Sequence, residues 1–213
     1  ATVRLPSRPI TVRLDPETML IRRIPRQSLP PTLNHFVTDA RRTVMIVGSV
    51  PSSHPYQEVV ERIAAQENRK KESDRAAVIR NGTAELFPTG GSVLLLGNLG
   101  GREVIQRLLE THCRQRVRLT DTGVSIDGHN YDGSETAVIL TCHRADRPGS
   151  VLSLLYSATP EAAFTVSRLL FFYGWNSFVV FKNGSVVRRG EGPGEPDSTG
   201  KMEVFVDERR VIR

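Results

Sequence analysis

The chain has 213 residues, of which 38% are hydrophobic and 24% are charged. This composition is typical of a globular protein that is long enough to bury a core without metal ions or disulfides. The net charge of +6 rests almost wholly on arginines scattered along the sequence. Because no aromatic residues alternate with them, nucleic acid is not an expected partner. No apolar run approaches the roughly 20 residues of a transmembrane helix, so no membrane span is expected.

The first 31 residues differ in pattern from the rest of the chain. Residues 2–24 alternate branched apolar residues with arginine, which predicts β-strands with one buried face. Three prolines in residues 25–31 predict a linker and a domain boundary. Strand-like sequence begins directly after Ala1 with no signal segment. We therefore expect either a removed initiator methionine or a mature or excised fragment.

Strand and helix patterns alternate through residues 32–190, which we predict to form one α/β domain. Two continuous apolar runs, residues 43–48 and 92–97, predict strands buried on both faces. The other predicted elements are helices or helical turns at 32–39, 56–70, 83–87, 101–112 and 159–173, strands at 76–80, 117–119, 136–142, 151–157, 177–181 and 186–189, and a small hairpin at 124–131.

Short motifs refine this prediction. Thr159 precedes Pro160 as a helix N-cap, and Asp127-Gly128 and Asn183-Gly184 are typical of hairpin turns. The alternation predicts a mixed, mostly parallel sheet flanked by helices, with an antiparallel portion after residue 117. Residues 191–213 predict a loop rich in glycine and proline, followed by a terminal strand.

The chain has two cysteines, Cys113 and Cys142, and five histidines. Two cysteines are enough for one disulfide, but we interpret them as separate buried thiols. The histidines include no pair at positions i and i+4 and no HExxH motif, so no metal site is predicted.

Two loops that follow the buried strands are candidate anion sites. The first runs Gly97-Asn98-Leu99-Gly100-Gly101 and opens a helix, so backbone N–H groups and the helix dipole would face a phosphate. The second, residues 48–55, occupies the matching position after the earlier strand; its candidate residues are Gly48, Ser49, Ser52, Ser53 and His54. Neither loop matches G-x-G-x-x-G or a P-loop, and glycine also suits any tight turn, so no cofactor is predicted.

The same second loop holds the best candidates for a hydrolytic Ser/His site, which are Ser52, Ser53 and His54. The G-x-S-x-G elbow of α/β hydrolases is absent from the sequence. The alternative interpretation is a polar loop whose serines cap a helix. We assign no catalytic residue from the sequence.

Several stretches resemble the far C-terminal region of large bacterial zinc aminopeptidase-like proteins of the gluzincin superfamily. These stretches are ITVRLDPETMLIRRI at residues 10–24, LPPTLN at 29–34, SVLLLG at 92–97, PEAA at 160–163 and YGWNSF at 173–178. The catalytic HExxH of that superfamily is absent, so no functional residue carries over. The resemblance implies an accessory piece of a larger, extracytoplasmic peptidase-like protein.

Three hypotheses follow. The first is a non-catalytic accessory domain that packs on a neighbouring domain of the same or a partner protein, which predicts an apolar surface near residues 1–31. The second is a flavodoxin-like domain that binds a small ligand or phosphate through the loops after Gly48 and Gly97. The third is a hydrolase with a Ser/His site around His54.

Overall fold

The computed structural model describes residues 26–48, 51, 53–67, 75–113 and 117–192. These residues contain four α-helices, a seven-stranded sheet and a small three-stranded sheet. The helices are α1 (Leu33–Val37), α2 (Pro55–Glu67), α3 (Arg102–His112) and α4 (Pro160–Leu169). The strands are β1 (Arg42–Val47), β2 (Ala77–Gly82), β3 (Ser92–Asn98), β4 (Val117–Leu119), β5 (Gly123–Ile126), β6 (His129–Asp132), β7 (Thr136–His143), β8 (Val151–Ser157), β9 (Phe178–Lys182) and β10 (Ser185–Gly190).

The main sheet is mixed, with the strand order β2–β1–β3–β8–β7–β9–β10. The first four of these strands pair in parallel, whereas β7 runs antiparallel to both of its neighbours and β10 runs antiparallel to β9. Strands β4, β5 and β6 form the separate antiparallel sheet. The predicted α/β class, with a mostly parallel sheet and an antiparallel portion after residue 117, is confirmed.

Both faces of the main sheet are covered, which explains why its central strands are continuous apolar runs. In β1, Val44 and Ile46 face a core shared with α1, α2 and α4. Met45 and Val47 point to the opposite face, where α3 and the small sheet complete a second core. Each of these four side chains is buried because the sheet is a middle layer.

The turn predictions are confirmed by the backbone. Asp127 and Gly128 have φ of 50° and 81°, and Asn183 and Gly184 have φ of 50° and 72°. These positive values are those of a hairpin turn that Asn, Asp and Gly adopt most easily. The predicted cap is also confirmed, because the Thr159 side-chain oxygen accepts a hydrogen bond from the Ala162 N–H at 3.2 Å.

Helix α4 is shorter than predicted. The apolar pattern predicts helix as far as Tyr173, but the helix ends at Leu169 and residues 170–175 form turns. The backbone N–H of Asn34 donates to the Gly174 carbonyl at 3.1 Å. This contact with α1 redirects the chain, and it depends on a partner far away in sequence.

The interpretation of Cys113 and Cys142 as separate thiols is wrong, because the two residues form a disulfide with a Cα–Cα distance of 5.7 Å. Cys113 follows α3, and its backbone bridges Arg144 just beyond β7. This pairing brings Cys113 beside Cys142 on the face of the sheet that α3 covers. The sequence separation of 29 residues conceals the proximity, which arises only when α3 packs against β7.

The predicted N-terminal strands, the terminal strand after residue 200 and residues 68–74 lie outside the described residues. Part of the proline-rich linker is described, and it lies along α1. The guanidinium of Arg26 donates to the His35 carbonyl at 3.4 Å and to the Thr38 hydroxyl. Nε2–H of His143 donates to the Leu29 carbonyl at 2.8 Å, which fixes the linker to the end of β7.

Candidate functional site

The carboxyl ends of the parallel strands β1, β3 and β8 meet at one edge of the main sheet. Helix α2 follows β1 on one face, whereas α3 follows β3 on the opposite face. The chain therefore leaves two neighbouring strands in opposite directions, which is the arrangement at which open α/β sheets bind ligands. The two predicted anion loops converge at this edge.

The converging loops pack directly on each other. Gly48 has φ of +84°, and a Cβ there would lie 3.0 Å from the backbone nitrogen of Gly101. A Cβ on Gly101 would lie 2.8 Å from the Val47 carbonyl oxygen. These two glycines are therefore required by close backbone packing. Gly100 is less confined, and its N–H donates to the Asn98 side-chain oxygen at 3.1 Å.

Gly97 lies within β3 and not in the loop itself. A Cβ at this position would overlap the Ile105 side chain of α3. On the other side, the Gly97 carbonyl accepts a hydrogen bond of 2.5 Å from the Tyr56 hydroxyl. The same hydroxyl lies 2.7 Å from the Ser157 hydroxyl at the end of β8. Burial raises the pKa of Tyr56, whereas the hydrogen bond with Ser157 opposes that shift, so Tyr56 stays neutral.

His54 lies beside Tyr56 and is 5% exposed. Its Nδ1 accepts a hydrogen bond from the Tyr56 backbone N–H at 3.3 Å, and the two rings lie 4.3 Å apart. Burial lowers the pKa of His54, and the Glu161 charge partly opposes this shift. The proton of the neutral ring is therefore on Nε2, which has no hydrogen-bond partner among the described residues.

The hydrogen bonds of His54 do not suit the role of a general base. A base needs a nitrogen with a free lone pair, but Nδ1 of His54 is occupied by a backbone N–H. The Ser157 hydroxyl bonds Tyr56, and the structure records no hydrogen bond from His54 to a described serine or acid. Ser53 is exposed, whereas Ser49 and Ser52 lie outside the described residues. The described part of the chain therefore gives the Ser/His hypothesis no support.

Tyr156 lies at the same edge but on the opposite face of the main sheet. Its hydroxyl is buried without a hydrogen-bond partner in the described part of the chain. Burial raises the pKa of Tyr156 to about 12; nearby Arg102 opposes the shift and Asp121 adds to it. Arg102 and Asp121 form an ion pair.

The sequence analysis missed Tyr56, Tyr156 and Ser157 as members of this edge. Tyr156 and Ser157 end an otherwise apolar run, LLYS at residues 154–157, and this change in polarity was the available signal. In the described ranges, no group of three or more His, Cys, Asp or Glu residues is placed to hold a metal ion. No helix there is both long and apolar enough to cross a lipid bilayer.

A second candidate site is an exposed aromatic surface formed by Phe172 and Trp175 after α4. Their exposed fractions are 75% and 77%. Tyr173, between them, packs edge-on against Phe181 of β9 with a centroid distance of 5.5 Å. The turn that carries the surface is held to α1 by the bond from Asn34 to Gly174. The aromatic surface therefore sits on a fixed support beside the start of the α/β domain.

Comparisons with protein-family models, with curated proteins and with solved structures find no match.

Proposed function

We propose that this chain is a non-catalytic accessory α/β domain of a larger peptidase-like protein, and that it packs on a neighbouring domain through the aromatic surface. The observation that carries the proposal is the exposure of Phe172 and Trp175 on a turn that a backbone hydrogen bond joins to α1. Exposed aromatic side chains on a fixed support are typical of an interaction surface.

The free energy gained by covering apolar side chains favours the docking role of the aromatic surface. Covering one large apolar side chain stabilises an interface by about 1.5–3 kcal/mol, so Phe172 and Trp175 together offer roughly 3–6 kcal/mol. A domain joined covalently to its neighbour needs little more, because the tether already supplies a high effective concentration. Covering the surface would thus favour docking of a neighbouring domain.

The peptidase context rests on the sequence resemblance. Trp175 lies within the stretch YGWNSF at residues 173–178, which is one of the stretches that carry it. The Cys113–Cys142 disulfide is consistent with an oxidising, extracytoplasmic compartment.

Hydroxyl-radical footprinting with mass spectrometry tests the accessory role. The natural polypeptide that includes any preceding domain is compared with the 213-residue chain. We expect oxidation of Phe172 and Trp175 to fall about fivefold in the longer protein. Phe164, exposed on α4 beneath Arg168, is the internal control and should keep its oxidation rate. Equal rates at all three aromatic residues in both proteins, or a gene that encodes no further domain, would refute the proposal.

A second candidate function is binding of a small ligand that has an acceptor oxygen, such as a phosphate or sugar phosphate. The observation that favours it is the unpartnered Nε2–H of His54 beside the start of α2. The Glu161 carboxylate acts against a fully charged anion at this position.

A thermal-shift screen with inorganic phosphate, nucleotides, flavins and sugar phosphates tests this second function. A ligand at 100 times its Kd stabilises the native state by about 2.7 kcal/mol and should raise Tm by several degrees. The His54→Leu variant should lose that rise, whereas the His129→Leu variant, changed at an exposed histidine, should keep it. Absence of any shift at millimolar concentrations would exclude this function.

A further inference from the structure

We propose that the hydroxyls of Tyr156 and Thr136 form, together with the guanidinium of Arg102, a binding site for the carboxylate group of a small molecule. The site lies at the carboxyl edge of the parallel strands, on the face of the main sheet that α3 covers. It goes beyond the proposed function, because it uses neither the aromatic surface nor His54. Three observations carry the inference: two buried hydroxyls, a cation beside them and a carboxylate that already occupies this cation.

The first observation is a pair of buried hydroxyls that have no hydrogen-bond partner among the described residues. Tyr156 is 1% exposed and Thr136 is 3% exposed. Val138 lies opposite Tyr156 and two residues after Thr136, so alternation places all three side chains on the same face. The Ala158 N–H donates to the Thr136 carbonyl, which places Thr136 at the carboxyl end of β8. Such diagonal neighbours lie about 7–8 Å apart, within reach of a long aromatic side chain. A ligand group between the two hydroxyls would give both of them a partner.

The second observation is a cation at the same place. Arg102 begins α3 directly after the turn that follows β3, and β3 is the neighbour of β8 in the sheet. Burial is the main cause of the raised pKa of Tyr156, but the charges of Arg102 and Asp121 also act on it, which indicates that both lie close to the hydroxyl. Hydroxyl groups donate to anions, and a guanidinium binds a carboxylate through two parallel N–H groups. These are the groups that a carboxylate ligand requires.

The third observation is that a carboxylate already occupies Arg102. Asp121, in the turn between β4 and β5, forms an ion pair with the guanidinium, and the Asp121 side chain is 82% exposed. An ion pair with so exposed a partner is weak, so a ligand carboxylate can displace Asp121 at little cost. Arg102 and Leu119 also line a cavity of about 390 Å³ between α3 and β4, which leaves room for the rest of the ligand.

Acetate is a suitable probe because it is a carboxylate group that carries only one methyl group. The chain has four tyrosines, so labelling their Cζ atoms with ¹³C gives four NMR signals, which single phenylalanine substitutions assign. We expect the Tyr156 signal to shift saturably as sodium acetate is added. The signal of Tyr56, whose hydroxyl already bonds Gly97, should not move. Equal concentrations of sodium chloride should move neither signal.

Substitutions test each group of the site. Thr136→Val removes one hydroxyl with little change of shape, and Arg102→Gln removes the cation, so each should weaken the apparent acetate affinity about tenfold. Asp121→Asn removes the competing carboxylate and should tighten binding about threefold. Arg189→Gln is the matched control for Arg102→Gln, since it removes an exposed arginine from β10 at one end of the main sheet, and it should leave the affinity unchanged.

Three results would overturn the inference. The first is a Tyr156 signal that acetate, up to about 0.1 M, moves no more than sodium chloride does. The second is acetate binding that survives both Thr136→Val and Arg102→Gln. The third is a lower urea midpoint for both Thr136→Val and Tyr156→Phe in the absence of acetate, because this would identify an internal water as the partner of the two hydroxyls. None of these results bears on the footprinting of Phe172 and Trp175, so the accessory role is tested separately.

Discussion

The two edges of the main sheet differ in how their largest buried polar side chains are paired. At the amino edge of the parallel strands, Arg144 is 1% exposed and each of its three side-chain nitrogens donates at least one hydrogen bond. Its guanidinium donates to the carbonyls of Gly91 at 2.7 Å and Pro88 at 2.9 Å. It also pairs with Asp146 at 2.6 Å.

The surroundings of Arg144 extend this amino-edge network. Its guanidinium lies over the Phe87 ring, 4.8 Å from the centroid. His112 stacks on the same ring and bonds Asp146 at 3.0 Å. The Cys113–Cys142 disulfide lies next to this network, since Cys113 follows His112 directly and bridges Arg144.

The carboxyl edge leaves polar atoms without partners in the parts of the chain that the structure describes. These atoms are Nε2 of His54, the Tyr156 hydroxyl and the Thr136 hydroxyl; the amino edge has two of its own, which are Nδ1 of His143 and the Ser177 hydroxyl. Buried polar groups are nearly always paired, and functional sites are a recognised exception. The paired guanidinium of Arg144 indicates that the amino edge stabilises the fold, whereas the topology of the parallel strands makes the carboxyl edge the place where ligand chemistry is best sought. Four predictions test this comparison.

The largest expected effect comes from removing the buried charge. Arg144→Met leaves the Gly91 and Pro88 carbonyls without their donor and Asp146 without its cation. We expect a loss of about 3–5 kcal/mol in the free energy of unfolding, measured by urea denaturation. Arg147→Met, in the same loop but exposed, should change it by less than about 0.5 kcal/mol. Similar losses for both variants would mean that the network is not the source of stability.

The second largest expected effect on the free energy of unfolding comes from removing the disulfide. For a separation of 29 residues, chain entropy predicts that replacing both cysteines by serine costs about 3.5 kcal/mol. Adding a reductant to the native chain should lower its free energy of unfolding, measured by urea denaturation, by about the same amount and should leave the double-serine variant unaffected. A native chain insensitive to reductant under conditions that expose its thiols to titration would contradict the disulfide's stabilising role.

Two tyrosines compare a paired with an unpaired hydroxyl at the carboxyl edge. Tyr56→Phe removes the donor to Gly97 and the partner of Ser157, so we expect a loss of about 1–3 kcal/mol. Tyr156→Phe removes a buried hydroxyl that has no described partner, so it should be neutral or slightly stabilising. Equal destabilisation by the two substitutions, in parallel urea titrations, would show that the Tyr156 hydroxyl has a partner after all.

The smallest effect is a pH dependence at the amino edge. The hydrogen bond from Arg144 is the main cause that lowers the pKa of Asp146 from 3.8 to about 2. A lowered carboxyl pKa stabilises the fold above pH 3.8, and this contribution is lost as the pH falls from 3.8 towards 2. Because Asp146 is partly exposed, solvent screening reduces the expected contribution to about 1 kcal/mol. Asp146→Asn should remove this part of the acid-induced decrease, and unfolding curves measured between pH 2 and 5 would detect it.

Much of the fold was predictable because its signals are local. Residues 92–97 are a continuous apolar run, and this run can only be a strand or helix covered on all sides. Asp127-Gly128 and Asn183-Gly184 adopt positive φ at little cost, so both hairpins were predicted correctly. The end of α4 was predicted wrongly because Gly174 meets Asn34, a residue about 140 positions earlier in the chain.

The candidate site was predicted only in part. Gly48 and the turn Leu99–Gly101 were correctly placed after neighbouring strands, since parallel strands end at the same edge, whereas Gly97 and Asn98 belong to β3 itself. Their close mutual packing and the bond between Tyr56 and Ser157, 101 positions apart, have no local signature.

The sequence by itself determined the order of strands and helices, the turns between them and the faces that must be buried, because periodicity and turn chemistry act over a few residues. The tertiary structure alone decided which polar groups find partners. Arg144 lies in a turn-rich loop that is typical of exposed residues, yet it is buried because the carbonyls of Pro88 and Gly91 converge on it. His54 is likewise buried, but its Nε2 meets no described acceptor. Partners of this kind come from distant parts of the chain, and only folding brings them within hydrogen-bond distance.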